Sequence, residues 1–165
     1  MNPSCLQNLY GLPATKATQS NNVLAVPRFL NEYANKEYLK AFAAYLRPDM
    51  NSPLTFTEQF VSGGQSLQDL SRAGCEANLD IQYTVGLATG VPTVFISSGK
   101  SNLEAFDILV RSLLRQPIPP TVLSLSYGFN EDAVAPPRAS LNLAPGSPRA
   151  ASPTSFPRRS TKPPP

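Results

Sequence analysis

Val91-Pro-Thr-Val-Phe-Ile96 is a near-continuous apolar run of strand length, set between Gly90 and Ser97-Ser98-Gly99. A strand apolar along its whole length is covered on both faces, as in parallel sheets flanked by helices. Helical patterns lie on either side of it. Upstream, the segment carrying Glu76 and Asp80 runs as a helix to about Thr89, where Gly90 stops it. Downstream, Ser101-Asn-Leu-Glu104 fits a capping box. Leu103, Phe106, Val110, Leu113 and Leu114 then mark one helical stripe, closed by Gln116-Pro117. Further out, Leu54-Thr-Phe-Thr-Glu-Gln-Phe-Val61 alternates, with Leu54, Phe56 and Phe60 on one face. Thr121-Val-Leu-Ser-Leu-Ser-Tyr127 reads as a third strand, ending at Gly128. Joined by right-handed crossovers, these elements predict an α/β fold of three parallel strands with helices on their faces.

The first fifty residues read as helices. Cys5 to Tyr10 is a short one, stopped by Gly11. Pro27 suits a first helical position, and Phe29, Leu30 and Tyr33 follow on one face. After Asn35, Tyr38, Leu39, Phe42, Tyr45 and Leu46 recur at helical spacing until Arg47-Pro48.

Charge divides the chain in two. Residues 1–132 hold nine Lys/Arg against eleven Asp/Glu, a net of −2, whereas residues 133–165 hold five basic residues and no acid. Half of the eighteen prolines fall in 133–165. Such a segment cannot bury enough apolar surface to offset its ordering entropy, so it reads as a disordered tail behind a domain of residues 1–132. Its five scattered cations make no case for a nucleic-acid surface. No apolar run reaches membrane-spanning length, and Met1-Asn2-Pro3-Ser4 opens with neither the basic nor the apolar region of a signal peptide.

The absence of histidine excludes a Ser-His-Asp or Cys-His device in these residues and most zinc sites. Cys5 and Cys75 have no metal-ligand spacing; they pair with each other or remain as two thiols. The informative chemistry is Glu76-Ala-Asn-Leu-Asp80. Two carboxylates four residues apart share a helix face and repel. Burial sharpens that repulsion, and a shared proton relieves it, which suits acid–base chemistry at low pH. Alternatively, Glu76 only complements a helix N-terminus and Asp80 bonds a neighbour. In open parallel sheets, sites form beyond the carboxyl ends of the strands, which is where Glu76, Asp80 and Ser126-Tyr127-Gly128 should meet.

Glu76-Ala-Asn-Leu-Asp80-Ile-Gln-Tyr83, Gly86-Leu-Ala-Thr-Gly-Val-Pro92 and Leu125-Ser-Tyr-Gly128 resemble the sedolisin family of serine-carboxyl peptidases, in its fungal tripeptidyl-peptidase branch. Cys5-Leu-Gln-Asn-Leu-Tyr-Gly-Leu-Pro13, Phe29-Leu-Asn-Glu-Tyr-Ala34 and Arg47-Pro-Asp49 resemble the opening of that family's catalytic domain. The resemblance runs from about residue 3 to about residue 132. It implies a partial subtilisin-like fold in which serine is paired with glutamate instead of histidine. Glu76 matches the general base and Asp80 the acid that orients it and shares its proton. Ser126, Tyr127 and Gly128 match the strand that lines a peptide substrate.

These 165 residues also depart from the family's pattern. They contain neither the Gly-Thr-Ser-type motif of the nucleophile nor the Ser-Gly-Asp-type motif of the oxyanion aspartate. Ser97-Ser98-Gly99 reads as a strand-end turn rather than a substitute nucleophile. The calcium site of the full-length family lies further downstream, so no metal or other cofactor is expected here. The sequence thus reads as the first part of a peptidase domain continued near Glu131-Asp132-Ala133 by unrelated sequence, inactive alone and, with its last strand edge unpaired, marginally stable. The alternative is a non-catalytic peptide-binding module whose Pro-rich tail engages partners.

Overall fold

The computed structural model describes residues 2–29, 31–50, 53–100 and 103–128; the 133–165 tail and the 131–133 junction lie outside them. The order is α1 (Pro3–Tyr10), β1 (Leu24–Arg28), α2 (Lys36–Leu46), β2 (Thr57–Val61), α3 (Cys75–Leu87), β3 (Thr93–Ser98), α4 (Leu103–Leu114) and β4 (Val122–Leu123). The four strands form one parallel sheet in the order β2-β3-β1-β4. The architecture is the expected α/β, with one strand more than the sequence suggested.

The added strand is β1. It occupies the stretch around Pro27 that the sequence pattern assigned to a helix start. In a parallel ladder alternate residues turn their backbone groups to opposite neighbours. Val23 O accepts from the amides of Thr121 and Val122, and Ala25 O accepts from Ser124 N at 2.9 Å. Pro27 faces the same way. The next rung would need an amide hydrogen that proline lacks, and pairing with β4 ends at Leu123. The proline therefore fits a central strand by standing where its β4-side ladder stops. The same ending shortens the predicted 121–127 strand to Val122–Leu123.

β3 is buried at all six positions, as a strand covered on both faces requires. One face packs Phe95 and Val26 against Leu39 and Phe42 of α2 and Ala77, Ile81 and Val85 of α3. The other packs Val94, Ile96, Ala25 and Phe29 against Ala105 and Leu109 of α4. The expected stripe of α4 is thereby rotated. Phe106 and Leu113 do pack inward, but Ala105 and Leu109 are the buried residues, while Val110 and Leu114 are exposed. The Ser101-Asn102 part of the capping box and the Leu103 side chain lie outside the described residues.

In β2, Phe56 is buried just ahead of the strand, but Phe60 is 54% exposed. Lys36, the first residue of α2, already pairs with Glu58 at 3.3 Å, so the strand has passed the helix end before it reaches Phe60. Helix boundaries elsewhere follow local chemistry. Asn2 and Asn35 cap α1 and α2 through their side chains, and Gly11 closes α1 at φ 62°. The turn after β2 passes so close to the end of β3 that a Cβ on Gly64 would overlap the Ser97 carbonyl.

Candidate active site

α3 begins without a side-chain cap of its own, at Gly74. Its first turn is completed instead by the segment that leaves β1. Glu32 Oε2 accepts from the Ala77 amide at 3.3 Å, and Gly74 N donates to Tyr33 O at 3.1 Å. A Cβ on Gly74 would collide with the Glu32 side chain, so glycine is what lets the two elements touch. Buried Asn78 accepts from Asn35 N at 2.9 Å and donates to Tyr33 O at 3.1 Å. The helix that carries both carboxylates is thus fixed at its N-terminus to the carboxyl end of a central strand.

Glu76 stands in that first turn, where the helix dipole favours an acid. Asp80 follows one turn later, and both are half-buried. Burial pushes the Asp80 carboxyl above the usual aspartate range, and the Glu76 charge pushes it further. A hydrogen bond from Ser126 and the charge of Arg28 oppose the rise, while Glu32 adds to it. Ser126 Oγ donates to Asp80 Oδ1 at 3.2 Å. The structure thus brings Glu76, Asp80 and Ser126 to one place at the carboxyl end of the sheet. Among the described residues no hydrogen bond reaches the Glu76 carboxylate.

The raised affinity has a stability consequence. An acid whose folded pKa exceeds its unfolded one binds more protons when folded, so stability falls as pH rises through that interval. Asp80→Asn is therefore expected to stabilise the fold at neutral pH by on the order of a few tenths of a kcal/mol for a like pair at this spacing, and so to raise the melting temperature. The gain should fade as pH falls through Asp80's raised folded value and be gone below its unfolded one. Thermal melts at pH 7 and pH 3 check this; equal differences at both would refute it.

Tyr127 lies on the segment leaving β4. Its hydroxyl accepts from Arg28 Nη1, and its ring meets Phe29 edge-on at 5.3 Å. Burial pushes its phenol up to about 12 against the lowering effect of Arg28. Gly128 is exposed, with nothing within 4 Å of a Cβ placed there. Asp80 also lines a groove of about 790 Å³ along α3, walled by Leu79, Tyr83, Leu12 and Pro13.

Two residues of this cluster escaped the sequence reading. Arg28 ends β1 almost completely buried, and Nη2 lies 2.9 Å from Glu32 Oε2. The signal is a lone Arg in an apolar run with Glu four residues on, masked by the helix-start pattern of Pro27. Ser97 and Ser98 are buried at the end of β3, where each hydroxyl accepts a loop amide, from Gln65 at 3.2 Å and Lys100 at 3.3 Å. Cys5 and Cys75 are both free and exposed. Among the described residues no three His, Cys, Asp or Glu side chains gather as metal ligands. No helix among them is long and apolar enough to cross a membrane.

No family model matches the chain. Tripeptidyl-peptidase SED3 of Arthroderma otae is 30% identical over 149 aligned positions, covering 80% of this chain and 25% of that protein. A probable tripeptidyl-peptidase SED3 of Arthroderma benhamiae is 32% identical over the same shares. A probable tripeptidyl-peptidase SED2 of Trichophyton verrucosum is 31% identical over 79% of this chain and 25% of its own length. The chain spans about a quarter of the length of these curated relatives. Over about 80% of its length the chain is homologous to tripeptidyl-peptidases of the sedolisin family, of which it matches about a quarter.

Proposed function

We propose that this chain supplies the proton-accepting half of a serine-type acid peptidase, with Glu76 as general base and Asp80 as the acid that shares its proton. The observation that carries this reading is the placing of Glu76 and Asp80 one turn apart on α3, with Asp80 bonded by Ser126 from the segment that leaves β4. A carboxylate accepts a serine proton only while it is ionised. Placing a second carboxyl with a raised pKa next to it gives the pair one proton to hold at acid pH. Ser126, Tyr127 and Gly128 would present backbone groups to an extended peptide, because β4 pairs with β1 on one side only.

Ser126 does not serve as the nucleophile in this reading. Its hydroxyl is given to Asp80, and it lies on the segment assigned to hold substrate. These 165 residues carry no match to the family's nucleophile or oxyanion motifs, and without an attacking hydroxyl and an oxyanion donor the pair has nothing to activate.

The test is a gain of function. The 165-residue chain is expected to release no tripeptide from a chromogenic substrate near pH 4. A chimera in which it replaces the matching quarter of the Arthroderma otae relative should do so. Turnover by the chain alone would overturn the reading, and binding of the peptide without cleavage in both forms would favour the non-catalytic module.

A further inference from the structure

Arg28 is an expensive residue to place where it stands. Its side chain is 2% exposed, at the end of a strand otherwise built from Leu24, Ala25, Val26 and Pro27. A buried cation is costly unless partners compensate it. Its partners come from two separate segments. Nε donates to Glu32 O at 3.2 Å, and Nη1 donates to the Tyr127 hydroxyl. The guanidinium carbon also lies 5.2 Å from the Tyr127 ring centroid. Nη2 is close to Glu32 Oε2 but is not aligned to donate, so the contact is an ion pair and one buried donor stays unused.

We propose that Arg28 is a positioning residue of the carboxylate site: it latches Tyr127 to Glu32, so fixing the Ser126–Gly128 segment against α3, and keeps a positive charge beside Asp80. Glu32 in turn caps α3 through Ala77, so the latch joins β1, the N-terminus of α3 and the segment after β4. The groups acting on Asp80 are Glu76 on its own helix, Glu32 from the segment after β1, Arg28 from β1 and Ser126 from beyond β4, and Asp80 in turn acts on Tyr127. Arg28 is the cation among them. Without it, the charges of Glu76 and Glu32 act on Asp80 with no cation to oppose them, and the Asp80 proton is retained to higher pH. This inference rests on reading Glu76 and Asp80 as a coupled pair.

Carboxyl-selective carbon NMR of the 165-residue chain tests both without a peptidase assay. Arg28→Met is expected to shift the Asp80 titration midpoint upward, and Arg28→Lys, which keeps the charge, to leave it near wild type. Both, and Tyr127→Phe, should lower the backbone nitrogen NMR order parameters at Ser126, Tyr127 and Gly128. An unmoved Asp80 midpoint in folded Arg28→Met would overturn the proposal. If Arg28→Met does not fold, Tyr127→Phe decides, since unchanged order parameters at those residues remove the latch. Glu76→Gln separates the two readings. If it leaves the Asp80 titration untouched, the coupled pair is wrong, whatever Arg28 does.

Discussion

In the active chimera, Glu76→Gln is expected to lower kcat about a hundred- to ten-thousand-fold, the range set by loss of a general base. Glutamine keeps the volume and one acceptor oxygen but cannot take a proton. KM should change little, because Glu76 sits on α3 and peptide binding is assigned to the segment after β4. Asp80→Asn should lose less, since it orients and shares rather than accepts. The double variant should be no worse than Glu76→Gln alone, because residues that act as a unit give non-additive losses. A Glu76→Gln chimera with unchanged kcat would remove the carboxylate from the mechanism altogether. Additive losses in the double variant would leave two independent acids.

The parallel core was legible because it is written in residue type. Val94, Phe95 and Ile96 are apolar in succession, and only a strand covered on both sides buries all three. Glu76 and Asp80 were legible for a similarly local reason, since four residues on a helix place two side chains on one face. What failed was whatever depended on a neighbour in space. Pro27 carries a strong helix-start signal, and only the end of β4 beside it shows why a proline is tolerated in a central strand. Phe60 has the alternation of a buried residue, but α2 ends before it can cover it. Arg28 and Glu32 belong to the site through partners some fifty to a hundred residues away, and no spacing rule connects them.

The second large effect lies far from the carboxylate pair. Asp49→Ala is expected to destabilise the domain by about 3–5 kcal/mol, the cost of leaving a buried ion without its partner. Asp49 itself is more than half exposed, so surface reasoning would call the change mild. Its partner makes the difference. Arg47 has no exposed side-chain surface, and it receives Asp49 through both oxygens, Nε to Oδ1 at 2.9 Å and Nη2 to Oδ2 at 2.8 Å. The same guanidinium donates to Gly86 O and to Thr89 Oγ1, tying the end of α2 to the end of α3. Arg47→Met strands no charge, because Asp49 can hydrate; it orphans the Gly86 carbonyl, so a smaller loss of about 1–3 kcal/mol is expected. Urea melts of both variants test the order, and Arg47→Met being the worse would refute it. The pH dependence has the opposite sign to that of Asp80. The hydrogen bond from Arg47 holds the Asp49 carboxyl below the usual range, so its contribution persists through pH 4 and is lost only as pH falls through that lowered value. The clamp on α3 therefore stays ionised at the acidity where Asp80 takes up its proton, so the helix that carries the pair is held when the pair is in its working state.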